Sequence, residues 1–399
     1  MTRGLACFLA WCSVATGAAA QGLPSEPLTW GGGRAVLSGD VSVSFAPEDL
    51  GFFNYTDYER STLRTLRLGL SGMFRVADRI AVLGELRSEN LDGVWPAALY
   101  VRVRPLPGRR LDVQVGRIPP AFGLLSRRTY SRDSPLVGSP LAYQYLTSLR
   151  ADALPADLDE LLTMRARGWL SNFTVGEPAP DRGVPLVSSF TWDTGVQVTS
   201  GWGIVEVTGA LTTGTLSRPR VSDDNSGKQL AARLTVAPAT GLILGSSIAQ
   251  GPFVSRRAVA ASGLGQDGRY TQSAHGLDVE YSRGHWVARA DAVFSAWRIP
   301  LAAEGRAQTL RAAAVALETR YAFLPGAYAA VRAEHLTFSQ VRGSAGLDTW
   351  DAPVSRLEVG GGYSLRRNVI GRVSLQVNHR DGGRVTRARL VAGQLLYWF

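Results

Sequence analysis

Hydrophobic residues recur at every second position through most of this chain. In the clearest stretch, residues 64–74, Leu66, Leu68, Leu70 and Phe74 share one face, and small or polar residues occupy the other. The same period returns at 80–87, 99–104 and 369–378. No segment after residue 20 has 18 consecutive apolar residues, which excludes membrane-spanning helices. Strands with one apolar and one polar face instead suit a barrel in lipid.

Sixteen segments are predicted as strands: 34–45, 62–74, 79–90, 97–105, 111–117, 189–199, 202–212, 228–237, 241–249, 273–283, 285–297, 310–322, 325–337, 354–364, 369–380 and 385–399. Even-numbered strands end in tight turns such as Ser200-Gly201 and Arg283-Gly284, and odd-numbered strands mostly end in longer polar loops. Short periplasmic turns and long external loops are typical of outer-membrane barrels, whereas a soluble sandwich has no reason to alternate them. We therefore predict an all-β fold, a transmembrane antiparallel β-barrel of about 16 strands. Fourteen or eighteen strands remain possible, because the first strand and the two within 189–212 have weak patterns.

The beginning of the chain predicts an export signal. Arg3 precedes an apolar stretch, Leu5–Val14, and Ala18–Ala20 forms a cleavage site. We assign residues 1–20 to a signal peptide and 21–399 to the barrel. A lipoprotein signal cleaved before Cys12 is the alternative, although Trp11 is larger than the residue such a signal requires. Both cysteines, at positions 7 and 12, fall within the predicted signal, so no disulfide or cysteine metal site is expected.

The chain ends in an aromatic residue. Phe399 follows Leu395 and Tyr397 at two-residue spacing, so all three belong to one face of the last predicted strand. In a barrel the last strand pairs with the first, and such a face would meet lipid near the periplasmic rim. Together with the export signal, this ending predicts the cell outer membrane of a Gram-negative bacterium.

Charge is distributed along the whole chain. The formal net charge is +10, and Lys228 is the single lysine. Nucleic-acid binding requires basic residues gathered on one face, but acidic residues are interleaved with them here. The expected partners are outer-membrane lipid and small hydrophilic or anionic solutes, with no nucleic acid.

The segment Leu111–Gly123 carries a family resemblance. It reads LDVQVGRIPPAFG and resembles the strand and exit of the phosphate-selective porin family, in which a strand ends in Gly-Arg and continues into a short Pro-Phe-Gly segment. Ala121, inserted between proline and phenylalanine, departs from that spacing. The resemblance implies a pore, and analogy with general porins implies a homotrimer. The alternative interpretation is structural, because Pro119 and Pro120 lack N–H donors and end a strand.

The connection 118–188, after the fifth predicted strand, is far longer than a structural link requires. In sixteen-stranded porins the third external loop folds inward and narrows the pore, so we predict the same here. Within the loop, 155–167 is predicted as a helix whose Leu158 and Leu161 rest on the inner wall, the alternative being a helix outside the barrel. The candidate constriction residues are Arg117, Arg127, Arg128, Arg132, Asp157, Asp159 and Glu160.

The polar face of the predicted strands carries a row of arginines. The candidate basic pore-lining residues are Arg67, Arg87, Arg102, Arg104 and Arg372. Acidic residues occupy strands across the barrel: Asp193, Glu206, Asp278 and Glu280. Guanidinium groups offer paired donors to carboxylate or phosphate, so the row favours anions. The alternative is that these arginines form salt bridges with neighbouring strands.

No catalytic or metal site is predicted. The four histidines lie on different strands without metal-ligand spacing. An outer-membrane lipase would need a serine beside a histidine on the lipid face, and His335 is the only candidate histidine, with no paired serine identifiable. We expect no enzyme, no cofactor and no metal.

These patterns together predict a passive outer-membrane diffusion pore for small hydrophilic solutes, with a preference for anions such as phosphate. The alternative is a non-conducting barrel, either an adhesin or an assembly or export protein, plugged by the long loop.

Overall fold

The computed structural model describes residues 24–399 apart from 58, 59, 125–130, 189–191, 223, 226 and 266–269. Sixteen antiparallel strands form one closed sheet. The strands are β1 Ala35–Phe45, β2 Leu66–Ala77, β3 Ile80–Glu89, β4 Trp95–Val103, β5 Arg110–Ile118, β6 Asp193–Trp202, β7 Val205–Thr212, β8 Gln229–Ala239, β9 Leu242–Pro252, β10 Thr271–Arg283, β11 Trp286–Leu301, β12 Arg306–Leu324, β13 Ala327–Phe338, β14 Val354–Arg366, β15 Val369–Arg380 and β16 Arg387–Trp398.

Each strand pairs with its neighbours in the chain, and β16 pairs with β1 to close the barrel. At the seam, Phe399 N donates to Gly39 O at 2.9 Å and Gly39 N donates to Phe399 O at 3.2 Å. A side chain at position 39 would collide with the Phe399 ring, since a Cβ there would lie 2.6 Å from Phe399 Cε1. Glycine in the first strand therefore makes room for the C-terminal aromatic ring.

The two rims of the barrel differ in the length of their connections. One rim has turns of two residues, as at 78–79 and 325–326, with 104–109 as the longest. The other carries long connections, including 46–65, 213–228 and the one between β5 and β6. This is the arrangement of short periplasmic turns and long external loops that the sequence predicts.

The outer surface of the barrel is apolar. Along the strands, exposed hydrophobic side chains alternate with covered inward residues. On β14, Leu357 and Val359 are exposed, and the residue between them is buried. Exposed aromatic residues gather at the short-turn rim: Phe74, Trp202, Tyr281, Trp286, Tyr321, Phe323 and Tyr363. An apolar band with an aromatic girdle matches the lipid-facing surface of a membrane barrel.

The connection between β5 and β6, residues 119–192, folds into the barrel, and we call it loop 3. It contains two short helices, α1 (Leu141–Gln144) and α2 (Leu158–Thr163). A third helix, α3 (Arg256–Ser262), follows β9. Smaller strand pairs join 28–30 to 35–37, 55–57 to 60–61, 153–154 to 175–176, and 340–343 to 346–349. None of the helices formed by the described residues is long and apolar enough to cross a bilayer.

The main hydrophobic core lies inside the barrel. Loop 3 contributes Leu149, Leu154 and Leu161, and the inner face of the barrel contributes residues such as Trp297 and Leu310. Burial of these side chains from water holds the loop against the wall.

The prediction of about sixteen antiparallel strands with an inward loop 3 is confirmed. The expectation that each strand has a polar inner face needs correction. Toward the external end of the barrel, the inner faces of β11 to β13 are apolar. The predicted helix 155–167 is shorter in the structure, and the predicted signal peptide, residues 1–20, lies outside the described residues.

Candidate functional site: the barrel lumen

The inner face of β2 to β7 remains accessible to water, and we call it the open wall. Nine of its inward side chains are half-buried, and all but Met73 are polar: Ser71, Met73, Tyr100, Arg102, Asp112, Gln114, Thr199, Glu206 and Thr208. Glu85, Arg87, Glu89 and Gln197 on the same face are buried. They alternate with exposed apolar residues such as Leu99 and Val207, which face outward. A polar inner face beside lipid-facing residues is the lining expected of a water-filled passage.

The predicted arginines of the open wall pair with carboxylates. Arg67 Nε donates to Glu89 Oε1 at 3.0 Å across the β2–β3 pair. Arg87 donates to Glu85 on its own strand. These pairs are the salt bridges that the sequence left as an alternative to a free arginine row.

A shared carboxylate serves the other two arginines of this wall. Arg104 Nε donates to Asp112 Oδ2 at 3.1 Å, and Arg102 Nε lies 4.0 Å from the same oxygen. The Arg104 side chain is 61% exposed and that of Asp112 is 21% exposed. In all four arginine pairs of the open wall the guanidinium side is the more exposed one. A solute passing this wall therefore meets guanidinium groups more than carboxylates.

Arg372, the fifth predicted arginine, holds loop 3 in place. Its guanidinium donates to Ser131 O at 2.6 Å and to Arg132 O at 3.2 Å. Ser131 Oγ also accepts from Arg67 at 3.4 Å. The turn Ser131–Asp133 thus lies between β2 and β15, where the loop crosses from one side of the lumen to the other. The Arg132 side chain on this turn is 38% exposed.

Loop 3 covers the inner face of β8 to β15, which we call the covered wall. Its central charge is Arg332, whose side chain is 1% exposed. The Arg332 guanidinium faces three carboxylates, with N···O distances of 3.2 Å to Glu318, 3.1 Å to Glu334 and 2.7 Å to Glu358. Removing one member of such a buried cluster leaves the remaining charges unpaired, which is costly.

The same carboxylates receive the backbone of loop 3. Leu141 N donates to Glu334 at 2.7 Å, and Gly138 N donates to Glu358 at 3.0 Å. In return, Arg332 donates to Gly138 O at 2.7 Å. A Cβ at position 138 would lie 2.1 Å from Gln376 Nε2, so the loop needs glycine to approach the wall this closely.

Tyr143 extends this attachment toward β11. Its hydroxyl donates to Asp291 Oδ2 at 2.7 Å. Burial, together with the neighbouring Asp291 carboxylate, raises the pKa of Tyr143, so the hydroxyl keeps the proton that it donates. At the other end of the segment, Gly123 N donates to Ser247 Oγ at 3.1 Å. The described part of loop 3 is therefore bound to the covered wall at several points, and its turn at Ser131–Asp133 contacts the open wall at Arg67.

The predicted acidic residues of loop 3 lie near its external end and build the loop itself. Asp157 caps α2 by accepting from Glu160 N at 2.8 Å. Asp159 accepts from Ser344 N at 2.7 Å, and Glu160 accepts from Thr174 N at 2.7 Å. These three carboxylates hold loop segments together, as the N-cap and first turn of a helix favour acidic residues.

Arg117 requires a correction. It belongs to strand β5 and not to loop 3, and it shares the outward face of that strand with the exposed Val115. Its guanidinium donates to Trp192 O at 3.0 Å and Pro96 O at 2.6 Å. Arg127 and Arg128 lie outside the described residues.

Of the four acidic residues predicted across the barrel, three are held by arginines or backbone N–H groups, and the fourth lies on the open wall. Asp278 is buried and paired with Arg233 at 2.6 Å, and Glu280 is paired with Arg289 at 2.6 Å. Asp193 accepts hydrogen bonds from the backbone N–H groups of Thr194, Gly214 and Arg220 at 2.9 to 3.0 Å. Glu206 stays half-buried on the open wall.

Sequence reasoning missed Arg332 and the three carboxylates around it on the covered wall. A signal was present, because the inner face of β11 carries Val293, Trp297, Ile299 and Leu301, as expected of a face covered by packing and not by water. Arg332 has partners on three strands, and Gly138 of loop 3 approaches the same group. Both contacts depend on the register between strands, which no local sequence pattern predicts.

The structure also brings a serine to His335. Ser355 lies directly opposite on β14, with His335 Nδ1 and Ser355 Oγ 2.9 Å apart on the outward face. Among the described residues, no carboxylate is hydrogen-bonded to His335. The described part of the chain likewise holds no group of three or more potential metal ligands.

The fold is similar to that of several solved structures. An anion-selective porin from Comamonas acidovorans is 11% identical, with a TM-score of 0.54, and the match covers 92% of this chain and 99% of that one. OmpT of Vibrio cholerae is 10% identical, with a TM-score of 0.53, covering 94% and 100%. OmpF of Salmonella typhi, solved with daunomycin, is 10% identical at 0.53, covering 92% and 97%.

No protein-family model matches the sequence, and no curated protein matches it. Nearly the whole chain nevertheless superposes on nearly the whole of each of these barrels. The chain therefore has the fold of the outer-membrane porins.

Proposed function

We propose that this protein is a passive diffusion pore in the outer membrane of a Gram-negative bacterium. The observation that carries the proposal is the division of the lumen: loop 3 is bound to the covered wall, while the polar side chains of the open wall stay half-buried and face water. Small hydrophilic solutes would pass along the open wall, beside the Ser131–Asp133 turn that contacts Arg67. We further propose that residues 1–20 are removed as a signal peptide during export.

Conductance in planar bilayers tests this proposal. The purified, refolded protein should produce discrete, voltage-tolerant current steps in potassium chloride. A non-conducting barrel, such as an adhesin or an export protein plugged by loop 3, would bind to the bilayer without steps, and that result would overturn the pore.

We also propose a modest preference for anions, small phosphate-bearing solutes among them. The support is the unequal exposure of the open-wall pairs, in which the guanidinium of Arg102 or Arg104 is more exposed than the Asp112 carboxylate. Fixed charges of one sign attract counterions into a narrow passage, and salt screens that attraction over about 10 Å at 0.1 M. The preference should therefore weaken as salt rises.

Reversal potentials in a potassium chloride gradient measure the preference. We expect an anion preference in the unaltered protein and a shift toward cations in the double variant R102E/R104E. The matched control is R257E, which reverses a charge that is 73% exposed on the connection after β9. Cation preference in the unaltered protein, or equal shifts in both variants, would refute the role of the open-wall arginines.

A homotrimer is proposed by analogy, since OmpT of Vibrio cholerae has been solved in a trimer form. Native mass spectrometry in detergent would show three chains per particle, and a monomer at all detergent concentrations would contradict it.

A further inference from the structure

A cavity of about 380 Å³ lies among the external connections, and Arg220 on its lining donates its backbone N–H to Asp193 at the external end of β6, one of the open-wall strands. Loop 3 supplies most of its lining, with Thr56 from the connection after β1 and residues 217–222 from the connection after β7. Four arginines line it, namely Arg150, Arg182, Arg218 and Arg220. The carboxylates on its wall are Asp152 and Asp181, and Asp224 is paired with Arg220 from outside the lining. The cavity is thus positively charged overall.

Arg150 is the most deeply buried of these arginines. Its Nε donates to Asp152 at 3.1 Å, and its Nη1 donates to Ser171 O at 3.1 Å and to Ala179 O at 2.7 Å. The second terminal nitrogen, Nη2, is buried and has no hydrogen-bond partner among the described residues. The Arg150 side chain is only 1% exposed, so its position is fixed by the contacts that the other nitrogens make.

Two further side chains of the same lining carry unpartnered polar atoms. Gln144, 1% exposed, has neither its amide oxygen nor its amide nitrogen hydrogen-bonded within the described part of the chain. Arg218 Nη1 is also buried without a partner there, while its Nη2 lies 3.6 Å from Asp152. Buried donors are usually satisfied, so three unpartnered groups around one cavity indicate a ligand that supplies acceptors.

The size and lining of the cavity define that ligand further. Cavities of roughly 300–1,000 Å³ hold small organic molecules and are larger than a single inorganic ion needs. Apolar side chains such as Leu146, Val184 and Val221 share the lining with the polar groups. Guanidinium pairs recognise planar carboxylate or tetrahedral phosphate oxygens, and a primary amide recognises hydroxyl groups.

We infer that this cavity is a binding site for a small hydroxylated organic anion, with Arg150 and Arg218 on its carboxylate or phosphate group and Gln144 on a hydroxyl. The inference rests on the proposed pore function, because it names the class of solute that the pore would collect at its external mouth. Carboxylate and phosphate share the same recognition chemistry, and the two probes below distinguish them.

The test uses the full barrel in planar bilayers, with gluconate or glucose 6-phosphate added on the external side. Either probe should interrupt the current in a saturable manner, and glucose at the same concentration should not. R218Q should raise the half-blocking concentration by about tenfold, since it removes a charge-assisted hydrogen bond. The stronger of the two probes identifies the anionic group.

Two further variants and one control complete the design. Q144L should weaken blocking by the hydroxylated probes with little effect on acetate. R218K preserves the charge and gives an intermediate shift, which keeps the test decisive where R218Q does not fold. R257Q removes a nearby external charge that does not line the cavity and should leave the half-blocking concentration unchanged.

The outcomes separate the site from the pore. Current that neither probe blocks would overturn the site while leaving the pore intact. If the protein carries no current, titration calorimetry on the folded barrel still measures the site, and binding that R218Q weakens and R257Q does not would support it. Equal effects of R218Q and R257Q would mean general surface electrostatics and would overturn the site.

Discussion

The open wall and the covered wall are built from the same alternating strands, yet their charges differ in environment. On the covered wall, Arg332 and its three carboxylates are buried under loop 3, and the backbone of the loop completes their hydrogen bonds. On the open wall, Asp112 is shared between Arg104 and Arg102, and the Arg104 side chain is 61% exposed. The difference shows that the inward charges of one barrel can serve two purposes. Buried charges attach the loop, and solvated charges line the passage.

Removing the central charge of each wall tests this contrast and should give the largest effect. R332M leaves Glu334 and Glu358 without the cation between them, while Glu318 keeps its pair with Arg289, and should destabilise the barrel by about 3–5 kcal/mol. R104M breaks an exposed pair and should cost about 0–1 kcal/mol. Urea unfolding in detergent, followed by tryptophan fluorescence, measures both. Similar losses in the two variants would contradict the division into walls.

A methyl group placed at the contact between loop and wall should have an intermediate effect. In G138A the new Cβ would meet Gln376 and Glu358 of the covered wall, which should cost about 1–3 kcal/mol and raise the conductance as the loop moves away. G209A is the control, because no heavy atom lies within 4 Å of a Cβ at that strand position. A G138A protein with unchanged stability and conductance would show that the loop is not attached there.

The smallest expected effect depends on pH and concerns the external end of loop 3. Burial raises the pKa of Asp351, although this carboxylate accepts from Ser148 N at 2.7 Å and Ala166 N at 2.8 Å. The folded protein therefore binds this proton more tightly than the unfolded chain, and the contribution of Asp351 to stability increases as pH falls toward 3.8 and is lost as pH rises.

D351N provides the comparison, since asparagine does not titrate. The unfolding temperature of the unaltered protein relative to D351N should increase as the pH is lowered from neutral toward the usual range of a carboxylate. A difference that stays constant across this range would mean that Asp351 has an ordinary pKa.

The strands could be predicted from sequence because their signal is local. Leu66, Leu68 and Leu70 reveal a lipid face by spacing alone, and turns such as Arg283-Gly284 mark the strand ends. The inward course of loop 3 followed from its length and its place after the fifth strand. Both features depend on residues that are close in sequence.

The partners of the inward charges could not be predicted in the same way. Arg332 finds Glu358 through the register of β13 against β14, and Arg372 finds its acceptors on a turn more than 200 residues earlier in the chain. The serine beside His335 was missed for the same reason. Spacing along the sequence assigns a side chain to one face of its strand. Only the closed barrel shows which side chains of neighbouring strands lie at the same level along the barrel axis.

Thiol accessibility tests the central claim most directly, because no cysteine follows residue 20. Ser71 lies half-buried on the open wall, and Ser374 is 1% exposed on the covered wall beside Glu358. A single cysteine is placed at each position, and a cationic methanethiosulfonate reagent is added during single-channel recording. The division of the lumen predicts that the current through S71C falls as the thiol reacts, while the current through S374C is unchanged. Rapid modification of S374C, or an unreactive S71C, would contradict a water path along the open wall.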